Sequence, residues 1–203
     1  MKKELGHFRV DDCYGSCQDW FTDWWMKVGG CGAITACDSC VYLKRYKGLD
    51  RLYPFSPVAM VKSDYVRFAM EMKPFLRPRW HGIDKLYLYR QGFEAYLKRT
   101  GETRLTMEEL PGTAPFAQAA AALTEQIDAG LPVPCLTLKH TNDEFADYVW
   151  HWYLLNGYEK TEDGRLLVRA VTYGKPRWLD FEGLWNTGCE PKGGLILYRL
   201  AET

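Results

Sequence analysis

The chain lacks an excess of charge of either sign. Lys plus Arg number 26 and Asp plus Glu number 26, so net charge gives no electrostatic case for a nucleic-acid partner or an anionic membrane. Long apolar runs are missing too. The longest, such as FAQAAAAL, fall well short of the roughly 20 residues that span a bilayer. The N-terminus, MKKELGHFRVDDCYG, has two lysines with no apolar stretch behind them and does not read as a secretory signal. Together these point to a cytoplasmic protein with no membrane partner. Repeats and low-complexity tracts are absent, and a chain that is 47% hydrophobic is not a disordered one. For 203 residues, one domain spanning 1–203 is the expectation.

Histidine is scarce, with four in the chain, whereas cysteine numbers seven. An odd count without an export signal favours reduced thiols over a disulfide framework.

The residue pattern divides the chain into two halves. From about residue 12 to 130 it reads as helical. GAITACDSCVYLKRYK places Ile34, Cys37, Val41 and Leu43 at roughly helical spacing. SPVAMVKSDYVRFAMEMKPFL offers Ser56 as N-cap and Pro57 in the first turn, with Pro74 and Pro78 to end it. IDKLYLYRQGFEAYLKRTGE reads as one helix or two short ones. PGTAPFAQAAAALTEQIDAG is the clearest helix, with Gly130 at its C-terminal cap. From about 131 to 203 the period changes. LPVPCLTL, HWYLLNGY, RLLVRAVTY and GLILYRL are short, branched and aromatic, and EKTEDGR contains an Asp-Gly hairpin turn. Helices followed by antiparallel strands predict an α+β fold with a cleft between the halves.

The chemistry concentrates at GGCGAITACDSCVYL, residues 29–43. A cysteine at a helix N-terminus faces unpaired N–H groups and the positive end of the helix dipole, which favour the nucleophilic thiolate. Gly29, Gly30 and Gly32 allow a sharp turn and close approach of a substrate. The bland alternative is a small buried residue where loop meets helix. Cys13, Cys17, Cys37 and Cys40 offer a four-thiolate zinc reading, weakened because Cys37 and Cys40 fall inside the helix. The expectation is therefore no metal and no cofactor. Cys17, in YGSCQDWF, is the rival nucleophile. Of the histidines, His7 falls in a loose terminus and His81 in a Pro/Arg/Trp loop. His140 follows a strand, and His151 opens one. Trp150 and Trp152 alternate with His151, so both are expected in the core.

Gln18, then GGCGAITA at 29–36, AGLPVPCLTL at 129–138 and HWYLLNGYE at 151–159 resemble, in order, the motifs of papain-like cysteine peptidases, in particular the bacterial C39-like group. VTYGKPRWLDF and GGLILYRL sit where that fold has its last strands. The resemblance covers roughly residues 12–200. It implies Cys31 as nucleophile, His151 as general base and acid, and Gln18 in the oxyanion hole. Where the family has Asn or Asp to orient the histidine, this chain has Val171 and Thr172, with Asp180 and Asn186 further on. Trp185 is placed by the same analogy as a cleft wall. Three functions follow: a hydrolase of peptides or small amides, an acyltransferase on the same fold, or a binding module that has lost the chemistry.

Overall fold

The computed structural model describes residues 1–80 and 82–201; His81 lies outside them. Nearest the N-terminus are three short strands, β1 (Lys2–Glu4), β2 (Arg9–Val10) and β3 (Cys13–Tyr14). Helices follow: α1 (Trp24–Gly29), α2 (Cys31–Lys47), α3 (Lys62–Met72) and α4 (Leu86–Thr100). Strand β4 (Leu105–Pro111) and helix α5 (Phe116–Asp128) lead into β5 (Val133–Thr137), β6 (His151–Lys160), β7 (Leu166–Thr172) and β8 (Lys175–Asp180). A short α6 (Phe181–Trp185) and β9 (Gly194–Leu200) close the chain. The large sheet runs β4-β9-β5-β6-β7-β8 with β1 added alongside β6, and every pairing is antiparallel. The fold is α+β.

Helix α2 is the centre of the molecule. Residues 31–43 are buried without interruption, because β6 covers one side and α3 another. So enclosed a helix has no solvated face, and its polar residues need partners. Asp38 accepts a hydrogen bond from the Tyr65 hydroxyl at 2.6 Å, and Ser39 donates to the Thr35 carbonyl at 2.9 Å. Gly48, at φ 66°, ends the helix in the left-handed region that glycine tolerates.

Most of the expected elements form. Both α4 and α5 are single helices, and Gly130 stands just beyond α5 at φ 72°. The hairpin at EKTEDGR joins β6 to β7, with Gly164 at φ 85°. Three expectations are corrected. The half read as helical supplies strand β4 to the sheet. In β4 the alternation of Leu105, Met107 and Leu110 is interrupted by Glu109 and ended by Pro111, and pairing with β9 decides the conformation. Helix α3 begins at Lys62, not at Ser56. The Ser56 hydroxyl accepts from Val58 N–H in a local turn, the chain bends through residues 57–59, and Met60 is held beside Val10, so no helix forms before Lys62. His7 is not in a loose terminus. Its ring stacks on Phe8 and Tyr14 (centroids 4.4 and 4.9 Å), and both ring nitrogens are shut off from solvent although part of the residue remains exposed. One buried core draws on helices and strands alike. Among the described residues, no helix is long and apolar enough to cross a membrane.

Three buried groups set the pH response of this core. Burial lowers His7 from 6.5 to about 3 and His151 from 6.5 to about 4, and it raises Asp38 from 3.8 to about 7. Unfolding around pH 5 therefore takes up close to two imidazole protons and releases close to one carboxyl proton. With one net proton taken up, stability falls as pH falls, by about 1.4 kcal/mol per pH unit. His7→Leu should make that slope close to zero, and Asp38→Asn should about double it. Urea unfolding at pH 4.5, 5.0 and 5.5 measures this, and equal slopes in all three proteins would contradict the burial assignments.

Candidate active site

Cys31 is the first residue of α2, joined to α1 through the single residue Gly30. The join is tight because three side chains are missing. A Cβ on Gly30 would lie 2.3 Å from the Met26 carbonyl, and one on Gly29 would lie 2.5 Å from the Arg79 carbonyl. Gly32 faces the Ile83 side chain. All three glycines are thus filled against by the chain itself. Gly30 has an ordinary φ of −83°, so the turn needs no left-handed residue.

The Cys31 sulfur is set against the start of β6. The backbone N–H groups of Trp152, Gly32 and Cys31 favour its thiolate, but burial outweighs them and pushes the thiol above its ordinary range. Trp152 is locked from its other end: its indole N–H donates to the Ile83 carbonyl at 2.6 Å and its ring stacks on Tyr89 at 4.3 Å. Alternation along β6 turns His151 to the opposite face from Trp152. There the His151 Nε2 lies 2.7 Å from the Thr172 hydroxyl, on the strand paired alongside. Burial lowers the imidazole to about 4. Thiol and imidazole are each about one-twentieth exposed, and in this closed state both are neutral. Among the described residues, no hydrogen bond joins the Cys31 sulfur to the His151 ring.

An aromatic ring covers the imidazole, and sequence reasoning did not single it out. Tyr173 stacks on His151 with centroids 4.7 Å apart and planes within 4°. It occupies the two-residue turn between β7 and β8 with φ 51°, followed by Gly174 at φ 73°. Such left-handed pairs suit a tight hairpin. The turn is pinned from outside: Tyr14 N–H donates to the Gly174 carbonyl at 3.0 Å, and Gly174 N–H donates to the Ser16 carbonyl at 2.9 Å. The available signal was Tyr-Gly immediately after Thr172. Beside Tyr173 opens a cavity of about 460 Å³, bordered by Cys17, Asp19, Asp147, Lys175 and Arg177.

The other candidates divide. Gln18 begins a 3₁₀ turn (Gln18–Trp20), and its side-chain amide donates to the Lys27 carbonyl of α1 at 2.9 Å. That ties it to the helix feeding into Cys31 and uses one of its two N–H bonds. Asp180 does not reach His151. It pairs with Leu167 while Thr172 pairs with Lys175, a separation of about 17 Å along the strand, and its carboxylate caps α6 through Gly183 N–H at 2.7 Å. Asn186 is exposed beyond the end of α6. Trp185 is buried, and its N–H is taken by the Ala114 carbonyl at 2.9 Å. The crevice it borders holds about 10 Å³, about the least space a water needs, so it is no wall of an open cleft. Trp152 is core as expected, but Trp150 is 42% exposed at φ 53°. A left-handed residue interrupts the alternation just before β6 begins.

The remaining thiols and imidazoles have other surroundings. Cys37 and Cys40 are fully buried inside α2, with thiols raised by burial. Cys17 is half-buried at the start of the 3₁₀ turn, and burial raises it too. No group of three or more His, Cys, Asp or Glu among the described residues is arranged to hold a metal ion. Both ring nitrogens of His140 are engaged, by the Gly183 carbonyl and by Asn142 N–H.

Removing the Tyr173 ring should let water reach His151. In Tyr173→Gly the imidazole is expected to rise from about 4 toward its ordinary 6.5, read by NMR titration of histidine ring carbons. A value that stays near 4 would place the cause of the low value elsewhere. Comparison of the chain with models of known protein families and with curated protein sequences finds no match.

Proposed function

We propose that this protein is a cysteine hydrolase of peptide or small amide bonds, built on a papain-like arrangement. One observation carries the reading: Cys31 opens a buried helix and lies against the N–H of Trp152, next in sequence to a His151 held by Thr172. Thr172 accepts the Nε2 proton, leaving Nδ1 as the base. Because thiol and imidazole rest neutral, the thiol proton passes to His151 as the sulfur attacks the carbonyl carbon. The oxyanion takes the Cys31 N–H and the second N–H of Gln18. His151 returns its proton to the leaving nitrogen as the C–N bond breaks. Water, deprotonated by His151, then cleaves the thioester to a carboxylic acid and restores the thiol. All seven cysteines are free thiols, which fits a reducing, cytoplasmic setting.

The closed site favours a second reading, a binding module on the same fold, since Cys31 and His151 are nearly inaccessible. Acylation separates the two. With p-nitrophenyl acetate, a thioester is expected on Cys31 by mass spectrometry, absent in Cys31→Ala and slowed about 10²–10⁴-fold in His151→Ala. Thr172→Ala should lose less than His151→Ala, and Thr172→Asn should keep the rate. The rate should rise through pH 4, where His151 gives up its proton, and stay level through neutrality. Labelling spread evenly over Cys13, Cys17 and Cys189, indifferent to His151, would leave the binding module standing.

A further inference from the structure

A surface next to this site departs from the neutral character of the whole chain. On α1, Met26 and Gly29 face inward, while Trp24, Trp25 and Val28 are 62%, 44% and 47% exposed. Trp80, one residue beyond the Arg79 that touches Gly29, is 70% exposed. Single exposed apolar residues are ordinary, but three tryptophans and a valine on two touching segments are not. Between the segments lies a groove of about 380 Å³, lined by Trp25, Lys73, Pro74, Arg77 and Pro78.

The unpaired charge here is of one sign. KPFLRPRW, residues 73–80, and WWMKVGG, residues 24–30, contain Lys27, Lys73, Arg77 and Arg79 and no acidic residue. Lys73 is neutralised by Asp23 at 2.6 Å. Lys27, Arg77 and Arg79 make no ion pair among the described residues. Residues 24–30 lead into the candidate site, and Ile83, three residues past the segment 73–80, packs on it. Gly29 and Gly30 lead directly into Cys31, and Ile83 packs on Gly32 while its carbonyl holds the Trp152 indole.

We infer that this surface binds a polypeptide segment in which an apolar side chain is flanked by Asp or Glu, and so selects the chains presented to Cys31. The apolar side chain fills the groove against Trp25 and the two prolines, and its acidic neighbours meet Lys27, Arg77 and Arg79. A concave slot sized for one or two side chains suits a peptide better than a bilayer, and three free cations make too short a track for a nucleic-acid backbone. That the bound chain is a substrate rests on the hydrolase reading; the binding itself does not.

The test uses Cys31→Ala protein, in which binding is read without cleavage. Phage-displayed random dodecapeptides are panned on it, with Arg77→Glu/Arg79→Glu and Trp25→Ser proteins as counter-targets, each first checked for an unchanged thermal melt. Enriched peptides are expected to combine an aromatic or branched apolar residue with an excess of Asp and Glu. As synthetic peptides they should lose at least tenfold in affinity on the charge-reversed protein and weaken steadily with salt. Because the charge-reversed protein changes only exposed residues, it keeps the test decisive should Trp25→Ser fail to fold. Enrichment without acidic bias, binding equal on the variants, or binding instead to phosphatidylglycerol vesicles or to oligo-dT would overturn the inference. Peptides that bind as expected but are not cleaved by the native protein would leave the surface standing and remove the hydrolase.

Discussion

The burial of α2 on all sides is the constraint on which the rest depends. An uninterrupted buried stretch from residue 31 to 43 removes water from every polar atom it carries, so each needs a partner within the protein. Asp38 finds Tyr65 on α3, and the Tyr65 hydroxyl also reaches the Ile34 carbonyl at 3.2 Å. Tyr42, further along, donates to the Gly130 carbonyl at 3.0 Å. These contacts fix the helix along its axis as well as around it. Fixing the axis fixes its first residue, and the first residue is Cys31.

The same burial sets the chemistry of the candidate pair. Low polarity penalises a thiolate and an imidazolium alike. The donors around the Cys31 sulfur oppose that penalty without overcoming it. A separated ion pair is thus the expensive form of the closed site, and a neutral pair the stable one. Thr172 fits this balance. A hydroxyl accepts from an imidazole N–H, yet it stabilises an imidazolium less than a carboxylate would. The Tyr173 ring works in the same direction by keeping water from His151. Chemistry at such a site depends on what enters it, because the entering group changes the local polarity.

Where a property is local in sequence, it was legible there. Alanine-rich α5, the Asp-Gly hairpin and the four branched strands each carry their own signal. The pairing of His151 with Thr172 was legible because two adjacent strands place the start of one beside the end of the other. What stayed hidden depends on partners distant in the chain. Strand β4 has too little alternation to declare itself and is made by β9. Asp180 looked able to reach His151 until register put it at the far end of the β7–β8 hairpin. Trp185 carried the right neighbours for a cleft wall, but its N–H is engaged by a carbonyl 71 residues away. The thiol's raised pKa was invisible for the same reason: a helix N-terminus is local, whereas burial is not. Zero net charge concealed a patch because a sum carries no position.

Trp152 and His151 show how one strand serves both halves. The Trp152 side chain belongs to the helical side, stacked on Tyr89 of α4 and bonded to Ile83. Its backbone N–H faces the Cys31 sulfur. His151, one residue earlier, belongs to the sheet side with Tyr153, Thr172 and Tyr173. Because successive strand residues point to opposite faces, a shift of one residue in β6 would exchange the two, putting an indole beside Thr172 and an imidazole beside Tyr89. The left-handed Trp150, whose N–H donates to the Leu138 carbonyl at 3.2 Å, sets where that alternation begins. A bulky residue in that conformation is costly, and the register it starts is the one that brings thiol and imidazole to the same end of the sheet.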